Sequence, residues 1–454
     1  MKKLFLILLA AILLLTSCEK DLVQYPYNKE NYKDWSGLKP IIPNFNGDMF
    51  SDMNITAGGR FTGSKRLGVF GDMLHCGDNG LTIWYDYNNG NLYKLNSEMQ
   101  KSKICQLEEC RNDIEKQCFH MPIANYVYSD GFLYFTYGGQ GYAEVEYQGE
   151  MYLQTVSKGV CIYRYNIDTY EVEKLIEFQG VDCCGVALNG KYLYAISYTW
   201  EFHEDTKSMY KTDYAITRID LNRENAVIVY SYVTDRTDFD KISDDPYQFR
   251  FINDRIVMPV NDYSLNKSSI NISNAEMNYI VTLIEFEYEN IRNVYLYDNN
   301  IYFMAEKWIG KGEDAVFENR LCRVSIEMYD KYLMDFVLNP QKGKTALLDS
   351  NKREILRTNV KNFCIDGDFL YYTVNGESTI YRIILDYSRE LNFNTSTLVY
   401  TPESGESINP HDWIICDMYL YATSVIDDDL ENSGWRYRKK LFSESGPYLF
   451  YREY

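Results

Sequence analysis

Short apolar segments alternate along the chain with polar turns, and seven times two such segments face each other across an Asn or Asp turn. The turns are Asp78-Asn79-Gly80, Ser129-Asp130-Gly131, Leu188-Asn189-Gly190, Ile252-Asn253-Asp254, Asp298-Asn299-Asn300, Asp366-Gly367-Asp368 and Cys416-Asp417-Met418. Each runs into an apolar, mostly Tyr-rich strand signal, as in Phe132-Leu133-Tyr134-Phe135 or Tyr192-Leu193-Tyr194. Asx-Gly turns between aromatic and β-branched runs mark β-hairpins, because the central positions must accept positive φ. The units recur about every 56 residues, a period that belongs to propellers, solenoids or arrays.

A third segment follows each hairpin: Leu92-Tyr93-Lys94-Leu95, Ile162-Tyr163-Arg164-Tyr165, Ile216-Thr217-Arg218-Ile219, Leu321-Cys322-Arg323-Val324 and Ile380-Tyr381-Arg382-Ile383, with Ile280-Val281-Thr282-Leu283 as a version lacking the cation. The recurrent cation reads as a hydrogen-bonding residue of a strand edge or a blade-to-blade contact. A weaker fourth segment covers 172–178, 226–230, 333–337 and 396–400. Four antiparallel strands in each of seven units predict an all-β chain, a β-propeller of seven blades, with six or eight as the alternatives. The strands are apolar at nearly every position, as burial on both faces requires.

Leu133-Tyr134-Phe135-Thr136, Leu370-Tyr371-Tyr372-Thr373 and Leu420-Tyr421-Ala422-Thr423 resemble the second strands of LDL-receptor-type (YWTD) β-propellers. They are still more similar to bacterial domains of unknown function described as LDL-receptor-related-protein-like propellers. The likeness covers roughly residues 65–454, although Ile256-Val257-Met258-Pro259 departs from it and no repeat keeps an intact Tyr-Trp-Thr-Asp. It implies a propeller with a binding role and supplies no catalytic residues.

The N-terminus carries Lys2-Lys3, an apolar run from Leu4 to Leu15, and Leu15-Thr16-Ser17-Cys18. A charged start, a short apolar stretch and small residues make a secretory signal, too short to span a bilayer. Cys18 after Leu-Thr-Ser resembles the bacterial lipobox, which implies its diacylation and the loss of residues 1–17. The expected organisation is a signal peptide over 1–17, a lipidated Cys and tether over 18–60 whose last part could complete the final blade, and the propeller over 61–454. The expected place is the bacterial cell envelope, with membrane contact through the lipid alone.

The chain has 46 Lys and Arg against 65 Asp and Glu, a net charge of −19. Such a surface repels phosphate backbones, so nucleic acid is not an expected partner. Ten cysteines follow Cys18. Cys161, Cys322, Cys364 and Cys416 sit in or beside strand signals and read as small hydrophobes. Cys105, Cys110, Cys118 and His120 lack the tight ligand pairs of a structural zinc site, and read as thiols first and a local disulfide second. Neither metal nor cofactor is expected. There is no H-E-x-x-H, G-x-S-x-G or P-loop spacing among the residues. Runs of acid such as Asp427-Asp428-Asp429 are usually solvated surface.

The connections between second and third segments differ in length. Residues 138–160, 198–214, 261–278, 305–319 and 424–434 are long, and 86–90 and 374–378 are short. In a four-stranded meander these connections share one face, opposite the Asx-Gly turns. Insertions gathered on one face of a repeat ring often mark the binding side. Here they, or the strands beside them, carry Tyr142, Trp200, Tyr210, Trp308 and Trp435, aromatics with a polar tip suited to sugars or peptides. The expected function is a monomeric, non-enzymatic binding protein for a protein, peptide or glycan. The alternative is a propeller-type polysaccharide hydrolase or lyase.

Overall fold

The computed structural model describes residues 67–452 apart from connecting segments, the longest being 105–125, 232–249 and 328–345. Its strands form seven antiparallel sheets in chain order. Blade 1 holds β1 (Leu67–Phe70), β2 (Met73–Cys76), β3 (Thr82–Asp86), β4 (Asn91–Leu95) and β5 (Lys101–Lys103). Blade 2 holds β6 (Tyr126–Ser129), β7 (Phe132–Tyr147), β8 (Glu150–Asn166) and β9 (Val172–Phe178). Blade 3 holds β10 (Asp182–Asn189), β11 (Tyr192–His203), β12 (Ser208–Asp220) and β13 (Ala226–Ser231). Blade 4 holds β14 (Arg250–Ile252), β15 (Arg255–Asp262), β16 (Lys267–Asn274) and β17 (Ile280–Glu287). Blade 5 holds β18 (Glu289–Tyr297), β19 (Asn300–Ile309), β20 (Val316–Ser325) and β21 (Glu354–Thr358). Blade 6 holds β22 (Val360–Asp366), β23 (Phe369–Val374), β24 (Ile380–Ile384) and β25 (Thr397–Tyr400), and blade 7 holds β26 (Glu406–Cys416), β27 (Tyr419–Ile426), β28 (Trp435–Lys440) and β29 (Tyr448–Arg452).

All seven hairpins expected from the Asx turns are present as the first two strands of the repeat unit. Gly80, Gly131 and Gly367 have positive φ, and the two-residue turns Asp298-Asn299 and Asp417-Met418 have it at both positions, as a type I′ turn demands. First strands of successive blades lie against one another, as β18 does with β22 and β22 with β26, and the Tyr194–Phe251 stack joins blades 3 and 4. The sheets close into a seven-bladed β-propeller with the first strands innermost. Strand interiors are buried on both faces: only Lys361 of β22 is more than slightly exposed.

The recurrent cation works inside this architecture. In five blades the third-strand Arg stands opposite a second-strand Tyr: Tyr134–Arg164, Tyr194–Arg218, Tyr302–Arg323, Tyr371–Arg382 and Tyr421–Arg438. In four of them the guanidinium stacks 4.6 Å from the ring that opens the second strand, Phe132, Tyr192, Phe369 or Tyr419. Blade 5 has Asn300 there, and Arg323 pairs instead with Glu354 across the ladder.

A second repeated device corrects two strand assignments. In six blades the fourth strand carries one extra residue against the third, at Leu175, Val229, Leu283, Leu356, Val399 and Phe450. Leu283 thus places Ile280–Glu287 fourth in blade 4, not third. The true third strand, β16, alternates Ser and Asn with Ile, and Ser268, Ser269, Asn271 and Ser273 are buried, so it gives no apolar run to read. In blade 5 the fourth strand is β21, whose polar, mostly exposed sequence is a weak signal; residues 333–337 lie outside the described residues. Ahead of β21, Leu347 and Leu348 donate their N–H groups to Thr282 and Leu283, covering the outer edge of blade 4.

The last blade has four described strands, all from residues 406–452; residues 18–60, expected to supply a tether and an entry strand, lie outside the described residues. The chain's first described strand, β1, pairs with the inner edge of β2 and lies against β26. Side chains make the seam between blades 7 and 1. Arg438, fully buried, donates to Gly80 O (2.6 Å), Thr82 Oγ1 (2.8 Å) and Asn96 O (2.8 Å). The Thr82 and Tyr421 hydroxyls share a 2.6 Å hydrogen bond. At Gly80 a Cβ would come within 2.8 Å of Tyr419 Oη, so the close approach itself requires glycine.

Candidate binding face

In each blade the strand before the Asx turn begins, and the strand after it ends, on the face opposite that turn. Four of the five long connections on that face, 138–160, 198–214, 261–278 and 305–319, are built largely of paired strand, which corrects their reading as loops; of 424–434 only 424–426 are described, and they pair with β26. Strands β7 and β8 pair over their whole length, Phe132 to Tyr147 against Glu150 to Asn166, while β6 covers only Phe132–Phe135 and β9 only Val160–Tyr165. Ten residues per strand, 138–147 in β7, therefore stand beyond the four-stranded body, about 33 Å of two-stranded ribbon at 3.3 Å per residue. Alternation in Glu144-Val145-Glu146-Tyr147 is the strand signal that the loop reading passed over.

Four of the five aromatics lie on such ribbons: Tyr142 opposite Thr155, Trp200 opposite Lys211, Tyr210 opposite Glu201, and Trp308 opposite Phe317. Trp435 instead begins β28 inside the sheet, opposite Arg452. The ring distributes them over blades 2, 3, 5 and 7. Cys18 and the cluster of Cys105, Cys110, Cys118 and His120 lie outside the described residues. Among the described residues no group of three or more His, Cys, Asp or Glu is placed to hold a metal ion, and no helix is long and apolar enough to cross a membrane.

Near this face four inner strands break register, at Cys183/Gly185, Arg292/Tyr295, Val360/Asn362 and Ile408/Trp413. Bulges of this kind re-aim side chains and backbone groups at the rim of a closed sheet. They are tied across blades. Asn293 donates its amide to Asn362 Oδ1, Asn362 donates to Trp413 O (3.1 Å), and Arg292 donates to Lys361 O (2.9 Å). Asn261 holds Ile291 through both its amide atoms at 2.7 Å.

Arg292 also pairs with Glu306, and Lys361 stands beside them. Burial raises the Glu306 carboxyl above its ordinary range despite the nearby Arg292 and Lys361 cations. On the other side of blade 5, Glu289 meets Arg353 in a bidentate pair and Lys307 at 3.4 Å. Burial works to raise its carboxyl too, but these two cations bring it below the ordinary value. Glu289 faces Lys307 in the ladder and Glu306 faces Asn290, so the two carboxylates project from opposite sides of the sheet and do not form an acid–base pair. At the mouth of the ring this leaves two cations and one carboxylate between blades 5 and 6; Ile309 and Val316 on the blade 5 hairpin, and Tyr288 in the link that precedes blade 5, are exposed. Sequence reading missed these residues, because Arg292 and Lys361 are 69 positions apart and only the ring brings them together.

No family model matches the chain, and no curated protein matches it. Among solved structures it is similar to puromycin hydrolase (9% identity, TM-score 0.41, 88% of this chain and 55% of that one). It is similar too to the β-propeller domain of the Trilobed protease from Pyrococcus furiosus (11%, 0.39, 85% and 94%) and to a chain of the nidogen/laminin complex (11%, 0.29, 71% and 93%). The chain spans about half the length of the hydrolase. Likeness at this level carries no activity across.

Proposed function

We propose that the protein is a lipid-anchored propeller of the bacterial cell envelope that binds a protein, peptide or glycan on its long-hairpin face, without catalysing a reaction. The observation that carries this reading is the coincidence, on one face, of the protruding ribbons, the bulged inner strands and the Arg292–Glu306–Lys361 group. Rigid ladders present aromatic positions better than loops do, because less conformational freedom is lost on binding. The net charge of −19 disfavours nucleic acid and anionic lipid as partners and leaves membrane attachment to Cys18.

Two experiments test this. In the first, Cys18→Ala should move the protein from the washed membrane fraction to the soluble one; a variant that still sediments with membranes contradicts the anchor. In the second, the soluble protein is passed over panels of envelope polysaccharides and peptides, and replacing residues 138–159 by a two-residue turn should reduce retention of whatever is bound while leaving the thermal transition in place. Unchanged retention removes the β7–β8 ribbon from the binding face.

A further inference from the structure

The position of β1 fixes the face at which the described chain begins. Strand β1 is antiparallel to β2, with Phe70 opposite Met73 and Leu67 opposite Cys76. Cys76 closes the first Asx-Gly turn through its N–H to Leu81 O (2.7 Å). Leu67, where the described chain begins, therefore lies at the Asx-Gly end. Forty-eight residues separate Cys18 from Leu67, up to about 160 Å when extended, so the connection alone imposes no orientation.

The same face carries an apolar patch between blades 6 and 7. Ile384 is opposite Phe369, beside the Gly367-Asp368 turn, and is 65% exposed. Phe442 follows β28, where Leu441 donates to Met418 O, and is 63% exposed. The Arg382 guanidinium lies 4.6 Å from the Phe369 ring and 5.2 Å from the Phe442 ring, and exposed Lys440 lies over Tyr419. Exposed Asp368 accepts from the Leu385 N–H through its backbone carbonyl beside them, so the patch is apolar with mixed charge. Apolar rings and long cationic side chains at one level suit the headgroup region of a zwitterionic bilayer.

We propose that the Asx-Gly face of blades 6 and 7 rests on the bilayer that holds the anchor, through Ile384 and Phe442, so that the long-hairpin face points away from the membrane. This rests on the lipid anchor proposed above. The test uses lipidated full-length protein added to preformed phosphatidylcholine vesicles, carrying Phe442→Cys or, on the opposite face, Val316→Cys. Each is reacted with a membrane-impermeant maleimide and compared with its soluble Cys18→Ala counterpart, the protein without either substitution giving the background. The expected result is a several-fold slowing at 442 on vesicles and an unchanged rate at 316. An unchanged rate at 442, or slowing at 316, overturns the orientation while the anchor stands. Slow reaction at 442 in the soluble protein that increases with its concentration assigns the patch to a second copy and likewise overturns it. If Cys18→Ala still sediments with membranes, the anchor reading itself fails, and the orientation falls with it.

Discussion

Arg438→Met is expected to cost about 3–5 kcal/mol of unfolding free energy, because it leaves Gly80 O, Asn96 O and the Thr82 hydroxyl without their buried charged donor. The seam is the place where the ring is joined by side chains rather than by a shared strand, so the loss falls on closure itself. Arg382→Met provides the contrast. It removes the same residue type at the same register, but from a half-buried stack on Phe369 and Phe442, and should cost about 1 kcal/mol or less. Urea titration of both variants measures the difference. Equal losses would mean that the seam is no more demanding than any other blade junction.

Removing blade 7 should have a larger effect still. Truncation before Asn409 takes away Trp413, Ile414, Tyr421 and Tyr437, which pack in one core cluster with Trp84 and Leu95 of blade 1 and with Phe363 and Leu370 of blade 6. Both neighbouring sheets would then show buried faces to water, and an interrupted ring exposes surfaces that pair with other chains. The expected product is aggregated, with no cooperative thermal transition. A soluble six-bladed remnant with a sharp transition would show that the blades are stable in an open arrangement.

The fold was legible because its information is local. Asx turns, Tyr-rich second strands and the Tyr–Arg pair each lie within one repeat, and repetition makes a weak motif readable. Where a blade replaces apolar with buried Ser and Asn, as β16 does, the same reading slips by one strand. Blade 7 hides its cation in Trp435-Arg436-Tyr437-Arg438-Lys439-Lys440, a run so charged that it reads as surface, although Arg438 is among the most buried large side chains. The long-hairpin face was legible in outline, since hairpin length shows in the spacing of the repeats. Its charged mouth was not: Arg292, Glu306 and Lys361 meet only when blades 5 and 6 stand side by side.

The claim that binding belongs to the long-hairpin face is tested most directly with Trp200→Ala and Trp308→Ala, measured beside Lys191→Ala from the opposite, Asx-Gly turn. With the ligand retained in the panel screen as probe, burying one such ring supplies about 1.5–3 kcal/mol, so each Trp variant should weaken binding by roughly tenfold or more. Lys191→Ala should bind as the unsubstituted protein does, and all three should unfold near its midpoint. Normal binding by both Trp variants together with loss of binding in Lys191→Ala would contradict the account.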